Sequence, residues 1–226
     1  MKLIQNEVHV NWNKSFENSL EKKYPSLDLV RLQKWHFGDN STGKVLEYGF
    51  GTGANSIHLI NCGYKFFGID ICPGALNQTK KRILDNFPNL NFHLSLLSQS
   101  DDQLPYENDS FDYIVCLSVL SLLGNETRVK YLLSEFKRIL KTGGKIIIDI
   151  NDHDSEFSKG YEMIEENVFI TPSNNGSMPF HSYCLKDEDS FKKLISDYFY
   201  IDDSGFSAHK LFGRRINEWI ISATNI

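Results

Sequence analysis

Three glycines at alternate positions, Gly49, Gly51 and Gly53, follow the short apolar segment 45–48. Glycine adopts positive φ angles at low cost and leaves the peptide groups bare, so a ligand can lie directly against the backbone. Residues 54–62 then carry apolar side chains at helical spacing. The pattern predicts a buried strand, a tight turn and a helix whose first N–H groups favour a polar or anionic ligand.

Two types of nucleotide site are compatible with this turn. The spacing Gly49-x-Gly51-x-x-Ala54 satisfies the dinucleotide fingerprint, which accepts alanine at its last position. That fingerprint does not require the third glycine, Gly53, or the acidic Glu47. Both are part of the E/D-x-G-x-G-x-G pattern of class I S-adenosylmethionine (SAM) dependent methyltransferases, which this stretch closely resembles. A glycine turn without a ligand is the remaining alternative.

An acidic residue downstream supports a nucleotide site. Asp70 ends the apolar segment 65–70 and lies 21 residues after Gly49, close to the offset of about 20 residues typical of a ribose-binding carboxylate. Such a carboxylate can accept hydrogen bonds from both ribose hydroxyls. The alternative is a strand-end aspartate that caps the helix beginning near Pro73.

Other segments extend the resemblance over residues 44–150, and more weakly over 187–224. They are the Leu104-Pro105 pair, the run 108–112 before an apolar segment, and the glycine turn 140–144. The resemblance implies an α/β, Rossmann-like methyltransferase sheet of seven strands in the order 3-2-1-4-5-7-6, with strand 7 antiparallel. The predicted strands are 44–48, 65–70, 91–94, 111–116, 145–149, 198–204 and 218–224.

The expected organisation is a helical N-terminal cap over residues 1–43 and a methyltransferase domain over residues 44–226. Between the fifth strand and the last helix, residues 151–186 show little regular pattern and several aromatic side chains. A segment of this length without regular structure is unusual in a compact domain and is often functional. The family places acceptor-binding elements here, so we expect the acceptor site at this insertion.

The resemblance also implies a set of residues around SAM. Besides Glu47 and the three glycines, Asp70 would bind the ribose and Ile71 would pack on the adenine. The remaining candidates are Ser100 or Asp101 for the adenine amino group, Cys116 and Ser118 near the methionine end, and Arg31 for the cofactor carboxylate. The acid usual after the third strand is displaced here, which leaves the adenine contacts open.

Composition restricts the partners. The net charge is −5 with interspersed signs and no basic block, so nucleic acid is not an expected partner. No apolar run approaches the roughly 20 residues of a membrane span, and the first residues are too polar for a signal peptide. Four scattered cysteines are typical of reduced thiols rather than of disulfides or a metal site. A cytoplasmic monomer or homodimer without membrane contact is therefore expected.

The reaction implied is methyl transfer from SAM to an oxygen or nitrogen of a small molecule, with S-adenosylhomocysteine as product. Orientation would supply most of the rate. His181 and Tyr183 in the insertion are the candidates for a catalytic base, and His153 is a further one. No metal is expected, because the acid that catechol-type relatives carry after the fourth strand is missing. A non-catalytic SAM-binding module and an NAD(P)-dependent oxidoreductase are the alternatives, but the chain has no Y-x-x-x-K motif.

Overall fold

The structure, a computed structural model, describes residues 5–17, 22–38, 42–98, 101–172, 178–211 and 214–226. It contains a large sheet and a small one. The strands are β1 (Lys44–Tyr48), β2 (Lys65–Asp70), β3 (His93–Leu96), β4 (Phe111–Cys116), β5 (Leu140–Asn151), β6 (Met163–Glu165), β7 (Val168–Thr171), β8 (Phe180–Tyr183), β9 (Tyr200–Leu211) and β10 (Arg214–Thr224).

The large sheet has the strand order β3-β2-β1-β4-β5-β10-β9. Its first five strands are parallel, and β10 runs antiparallel to both of its neighbours. This confirms the predicted fold class and strand order. The last two strands are longer than predicted, since they form a hairpin that continues past both predicted segments.

Helices cover both faces of this sheet. They are α1 (Asn6–Glu17), α2 (Leu27–Leu32), α3 (Ala54–Asn61), α4 (Pro73–Asn86), α5 (Glu126–Ile139) and α6 (Glu188–Ser196). A wider helical turn, Gln33–Phe37, continues α2, and a short 3-10 turn, Leu120–Leu123, precedes α5. Because both faces are covered, the central strands are mostly apolar, and Ile146, Ile147 and Ile148 of β5 are completely buried.

The chain reverses its direction of travel across the sheet between β1 and β4. It moves outward from β1 through β2 to β3 and then returns to place β4 on the other side of β1. The loops that follow β1 and β4 therefore separate at this switch point, where open α/β sheets bind their ligands. The turn 49–53 lies here.

The insertion is more regular than the sequence indicates. Strands β6, β7 and β8 form a three-stranded antiparallel sheet, where the sequence predicted little regular structure. The hydroxyl groups of Thr171 and Ser182 lie 2.6 Å apart across β7 and β8, and both donate to the carbonyl of Phe157. Buried hydroxyl pairs therefore hold this small sheet to the loop that follows β5.

In the described ranges, no helix has both the length and the apolar character needed to cross a membrane.

Candidate active site

The glycine turn adopts backbone angles that other residues rarely reach. Gly49 and Gly53 have φ of +78° and +76°. A Cβ on Gly49 would lie 2.5 Å from Val119 Cγ2, and one on Gly53 would lie 2.8 Å from Thr79 Cγ2. The Thr79 hydroxyl of α4 donates to the Gly51 carbonyl at 2.9 Å. Positive φ and close neighbours together explain why glycine occupies these positions.

Asp70 lies at the end of β2, directly beside this turn. Its Oδ2 accepts from the Gly51 N–H at 2.9 Å, and its Oδ1 accepts from the Cys72 N–H at the same distance. Burial raises the pKa of this carboxyl, although the bonds from the Gly51 and Cys72 amides act in the opposite direction. The structure thus joins the two features that the sequence placed 21 residues apart.

A cavity of about 270 Å³ opens between the glycine turn, the loop after β4 and α1. Its floor is formed by the turn and by Asp70, Ile71 and Leu97. Helix α1 and the residue before it cover the cavity from above with a mostly apolar row, Gln5, Val8, Trp12 and Phe16. Most of its walls are apolar, and the few polar groups cluster at the turn, as in small-molecule sites generally.

The predicted cofactor residues divide into two groups. Gly49, Gly51, Asp70, Ile71 and Ser118 line the cavity. The others do not line it in the described part of the chain: Glu47 and Gly53 lie behind the turn, Cys116 is fully buried below it, and Asp101 accepts from the Ser98 N–H. Ser100 lies outside the described residues.

Arg31 is not brought to the cavity. It lies on the exposed side of α2, while Leu29 on the opposite side is completely buried. Lys22, in the segment before α2, reaches the cavity wall instead. Its backbone is held there by Thr52, whose hydroxyl accepts from the Lys22 N–H and lies 3.3 Å from the Lys22 carbonyl. No sequence motif identified Lys22 as a cavity residue, because its position depends on this contact with the glycine turn.

Neither predicted base reaches the cavity among the described residues. His181 is exposed on β8, and only its carbonyl contacts the cap, accepting from Gln5 Nε2 at 2.9 Å. Tyr183 is buried in the small sheet, and that burial raises the pKa of its hydroxyl. His153 Nε2 lies 2.8 Å from Asn167 Oδ1 and 3.0 Å from the Cys184 carbonyl. Strand pairing in the small sheet fixes these side chains away from the cofactor edge.

Two carboxyl groups lie just behind the cavity wall. Ser118, with φ of +59°, donates its N–H to Asp149 Oδ1 at 2.6 Å and its hydroxyl to Glu218 Oε1 at 3.4 Å. Burial raises the pKa of both acids, and the charge of Glu218 adds to the shift at Asp149. No sequence motif marks this pair, since β5 and β10 bring the two residues together across 69 positions.

Glu47 is a third buried acid at this edge of the sheet. Burial raises its pKa to about 8, while a hydrogen bond of 2.5 Å from the Ser56 hydroxyl opposes the shift. Within the described ranges, no group of three or more His, Cys, Asp or Glu side chains is arranged to hold a metal ion.

The strand order, the switch point and a glycine turn paired with a carboxylate define a Rossmann-like α/β protein with a nucleotide-type site. Residues 45–144 match the family model of a methyltransferase domain. A demethylmenaquinone methyltransferase from Tropheryma whipplei is 30% identical over 150 residues, which are 62% of this chain and 59% of that protein. Over these residues the chain is similar to class I SAM-dependent methyltransferases, and the solved structures below share its fold.

Another similar protein is itself uncharacterised. The uncharacterised protein MJ1123 of Methanocaldococcus jannaschii is 32% identical over 122 residues, 53% of this chain and 50% of that protein. The chain thus spans about half to three fifths of the length of these relatives.

Solved structures share the fold. A SAM-dependent methyltransferase from Methanosarcina mazei has a TM-score of 0.69 at 20% identity, covering 83% of this chain and 94% of that one. Magnesium protoporphyrin IX methyltransferase from Synechocystis, solved with bound SAM, has a TM-score of 0.68 at 15% identity over the whole of both chains.

Proposed function

We propose that this protein binds SAM in the cavity above the glycine turn and transfers its methyl group to a small-molecule acceptor. The observation that carries the proposal is the contact between Asp70 and the Gly51 amide at the switch point, where both face one cavity. The turn offers bare peptide groups and the carboxylate offers acceptors, which together suit an adenosyl group.

The residues around the cavity suggest how SAM is held. Asp70 accepts the backbone N–H groups of Gly51 and Cys72 and also lines the cavity, so its carboxylate is positioned where a ribose hydroxyl can reach it. Ile71 and Leu97 offer apolar surfaces for the adenine. Lys22 takes the role that the sequence assigned to Arg31, because its ammonium can pair with the methionine carboxylate.

Residues near the methionine end complete the site. Ser118 lines the cavity next to the Asp149 and Glu218 carboxyls, and Cys116 ends β4 just before it. Glu47 accepts from the Ser56 hydroxyl of α3 and so joins the end of β1 to the helix that follows the turn. Gly53 allows α3 to begin there, and Asp101 shapes the loop after β3 through its bond to Ser98.

Bound SAM would supply a reactive sulfonium methyl group. The chain's own contribution is then alignment and exclusion of water, and orientation of this kind can supply about 7–11 kcal/mol of barrier reduction. Val8, Trp12, Leu122 and Leu123 form an apolar wall where charge would disperse during transfer. Since His181 and Tyr183 face elsewhere, we place the catalytic work on orientation rather than on either of them.

A SAM-binding protein without turnover is the second candidate. The residues that line the cavity favour this candidate, because no histidine that could act as a base is among the described ones. Formation of S-adenosylhomocysteine from SAM with a panel of small hydroxyl, amine and thiol compounds would distinguish the two. Product above the rate without protein supports transfer, and saturable SAM binding with no product from any compound supports the second candidate.

Isothermal titration with SAM tests the binding step. We expect saturable binding by the wild type and at least tenfold weaker binding by Asp70→Ala, since the ribose would lose a carboxylate that accepts two hydrogen bonds. Asp85→Ala, which removes an exposed carboxylate on α4, is the matched control and should bind normally. Absence of SAM binding by the folded wild-type protein would contradict the proposal.

A further inference from the structure

Helix α2, the segment before it and the turn 33–37 after it expose an unusual set of large apolar side chains. Tyr24, Leu27, Val30 and Trp35 are 83%, 63%, 37% and 72% exposed. In a helix, residues three and four apart lie on the same side, so Leu27 and Val30 share one surface that Trp35 extends in the next turn. We call these four residues the α2 outer face. Leu29, on the other side of the helix, is completely buried against the protein.

Basic residues surround this face. Lys22, Lys23, Arg31 and Lys34 are all exposed, whereas the whole chain carries a net charge of −5. Asp28, the acidic residue within α2, is turned toward β9, where its Oδ2 accepts from the Ser207 hydroxyl at 2.9 Å. Arg82 of α4 donates to the carbonyls of Lys22 and Lys23, so a further cation lies beside them. Among the described residues around this face, basic side chains therefore outnumber acidic ones.

The α2 outer face adjoins the mouth of the cavity. Tyr24 belongs to both, and Lys22 and Pro25 beside it also line the cavity. A ligand held against this face would thus have a short path to the methyl-transfer site. The continuation of α2 through the turn 33–37 makes the face roughly 16 Å long.

We propose that the α2 outer face docks on an anionic phospholipid surface and that the acceptor enters the cavity from that surface. Aromatic and aliphatic side chains on one side of a helix, with lysine and arginine around them, are the features by which helices lie in the plane of a membrane interface. Basic residues at such a surface gain from the negative potential of anionic lipids. The acceptor is then a lipid-soluble molecule, and this last part rests on the proposed function.

Sedimentation with unilamellar vesicles tests the docking. Vesicles of phosphatidylglycerol and phosphatidylcholine should pull down the full chain at low ionic strength, and vesicles of phosphatidylcholine alone should do so at least tenfold less well. Raising the salt concentration should weaken binding to the anionic vesicles, because exposed charges are screened. The emission of Trp35 should shift to the blue as its indole leaves water.

A double variant and a matched control locate the contact. Leu27→Ser with Trp35→Ser removes two exposed apolar side chains and should weaken vesicle binding at least tenfold. Tyr200→Ser removes another exposed aromatic residue, 61% exposed, from the first position of β9, where it pairs with Thr224 and lies seven residues before the Ser207 that contacts α2. It should bind vesicles within twofold of the wild type.

The outcomes separate the two proposals. Failure of the wild-type protein to bind anionic vesicles, or equal loss in the Tyr200 control, overturns the lipid surface. A second result would also overturn the lipid surface. If the wild type binds no vesicles but self-associates with rising concentration, and the double variant does not, the face binds a second copy of the chain. Titration with SAM is done without lipid. Absence of SAM binding by the wild-type protein therefore bears only on the proposed function and not on the lipid surface.

Discussion

Four buried carboxyl groups surround the cofactor edge of the sheet: Glu47, Asp70, Asp149 and Glu218. Burial raises the pKa of each, because an ionised carboxylate loses hydration that its hydrogen bonds only partly replace. Such groups cost stability at neutral pH and cluster at functional sites. Their effect can be measured separately from any activity.

Glu47→Gln should make the protein more stable at alkaline pH. The folded-state pKa of Glu47 is about 8, against 4.5 for an ordinary glutamate, so the folded protein holds a proton that the unfolded chain releases. The stabilisation is complete below about pH 4.5 and is lost as the pH rises through 8. Glutamine does not ionise and can still accept from Ser56, so the variant should gain on the order of 3 kcal/mol at pH 8.5.

Urea unfolding of both proteins at pH 5, 7 and 8.5 measures this gain. The difference in unfolding free energy should be near zero at pH 5 and should grow with pH. A difference that stays constant across the three pH values would mean that the Glu47 carboxyl is not held neutral by burial.

Sequence spacing predicted which residues lie together where they belong to one βαβ unit. Asp70 and the glycines lie in consecutive segments, so a count of residues was enough to place them together. Arg31 lies on the exposed side of α2, and charge complementarity to a carboxylate does not reveal which side of a helix faces inward. Asp149 and Glu218 meet only through the pairing of β5 with β10, which no local pattern encodes.

Helix α1 is tied over the cavity by two amide side chains. Gln5 Nε2 donates to the carbonyls of Leu122 at 2.6 Å and of His181 at 2.9 Å. Asn11 makes a reciprocal pair with the backbone of Met178, with distances of 2.6 and 3.0 Å. Both side chains are buried, so water does not readily replace these bonds. The helix is thus fixed to the small sheet as well as to the large domain.

The double substitution Gln5→Ala with Asn11→Ala should loosen α1 without unfolding the domain. We expect faster amide hydrogen exchange in α1, unchanged exchange in β4 and β5, and roughly tenfold weaker SAM binding, since the cover of the cavity would be open more often. Lys14→Ala, an exposed change on the same helix, is the control. Exchange in α1 as slow as in the wild type would show that the amide bonds do not hold the cover closed.

At the level of elements, the large sheet was predictable and the small one was not. Strands β1, β4 and β5 are buried on both faces and show as apolar runs, which the sequence displays directly. Strands β6 to β8 have three or four residues each, and β6 is exposed throughout. Their pairing depends on partners along the insertion and on buried hydroxyl groups, so no periodic signal marks them.

For the whole molecule, the cap and the domain form one continuous structure. The sequence divided the chain into a cap over 1–43 and a domain over 44–226, and that boundary remains a prediction. The contacts of α1 with residues 122, 178 and 181 show that the cap and the domain close the cavity together. A ligand in the cavity should therefore stabilise the chain as a unit.

SAM at one hundred times its dissociation constant should raise the melting temperature by about 5–10 °C, because binding to the folded state alone contributes about 2.7 kcal/mol. NAD at the same concentration should leave it unchanged. Differential scanning fluorimetry measures both. A shift with NAD and none with SAM would favour the dinucleotide interpretation of the glycine turn.

The ties of α1 also bear on how the chain is made. The carbonyl that accepts from Gln5 lies 176 residues further along, and the Met178 partner of Asn11 lies 167 residues away. At synthesis rates of 5–20 residues per second, α1 has to wait roughly 10–30 s on the ribosome before its partners emerge. A helix made early is therefore secured late, and the nascent chain exposes its binding cleft until residues 178 and 181 have been synthesised.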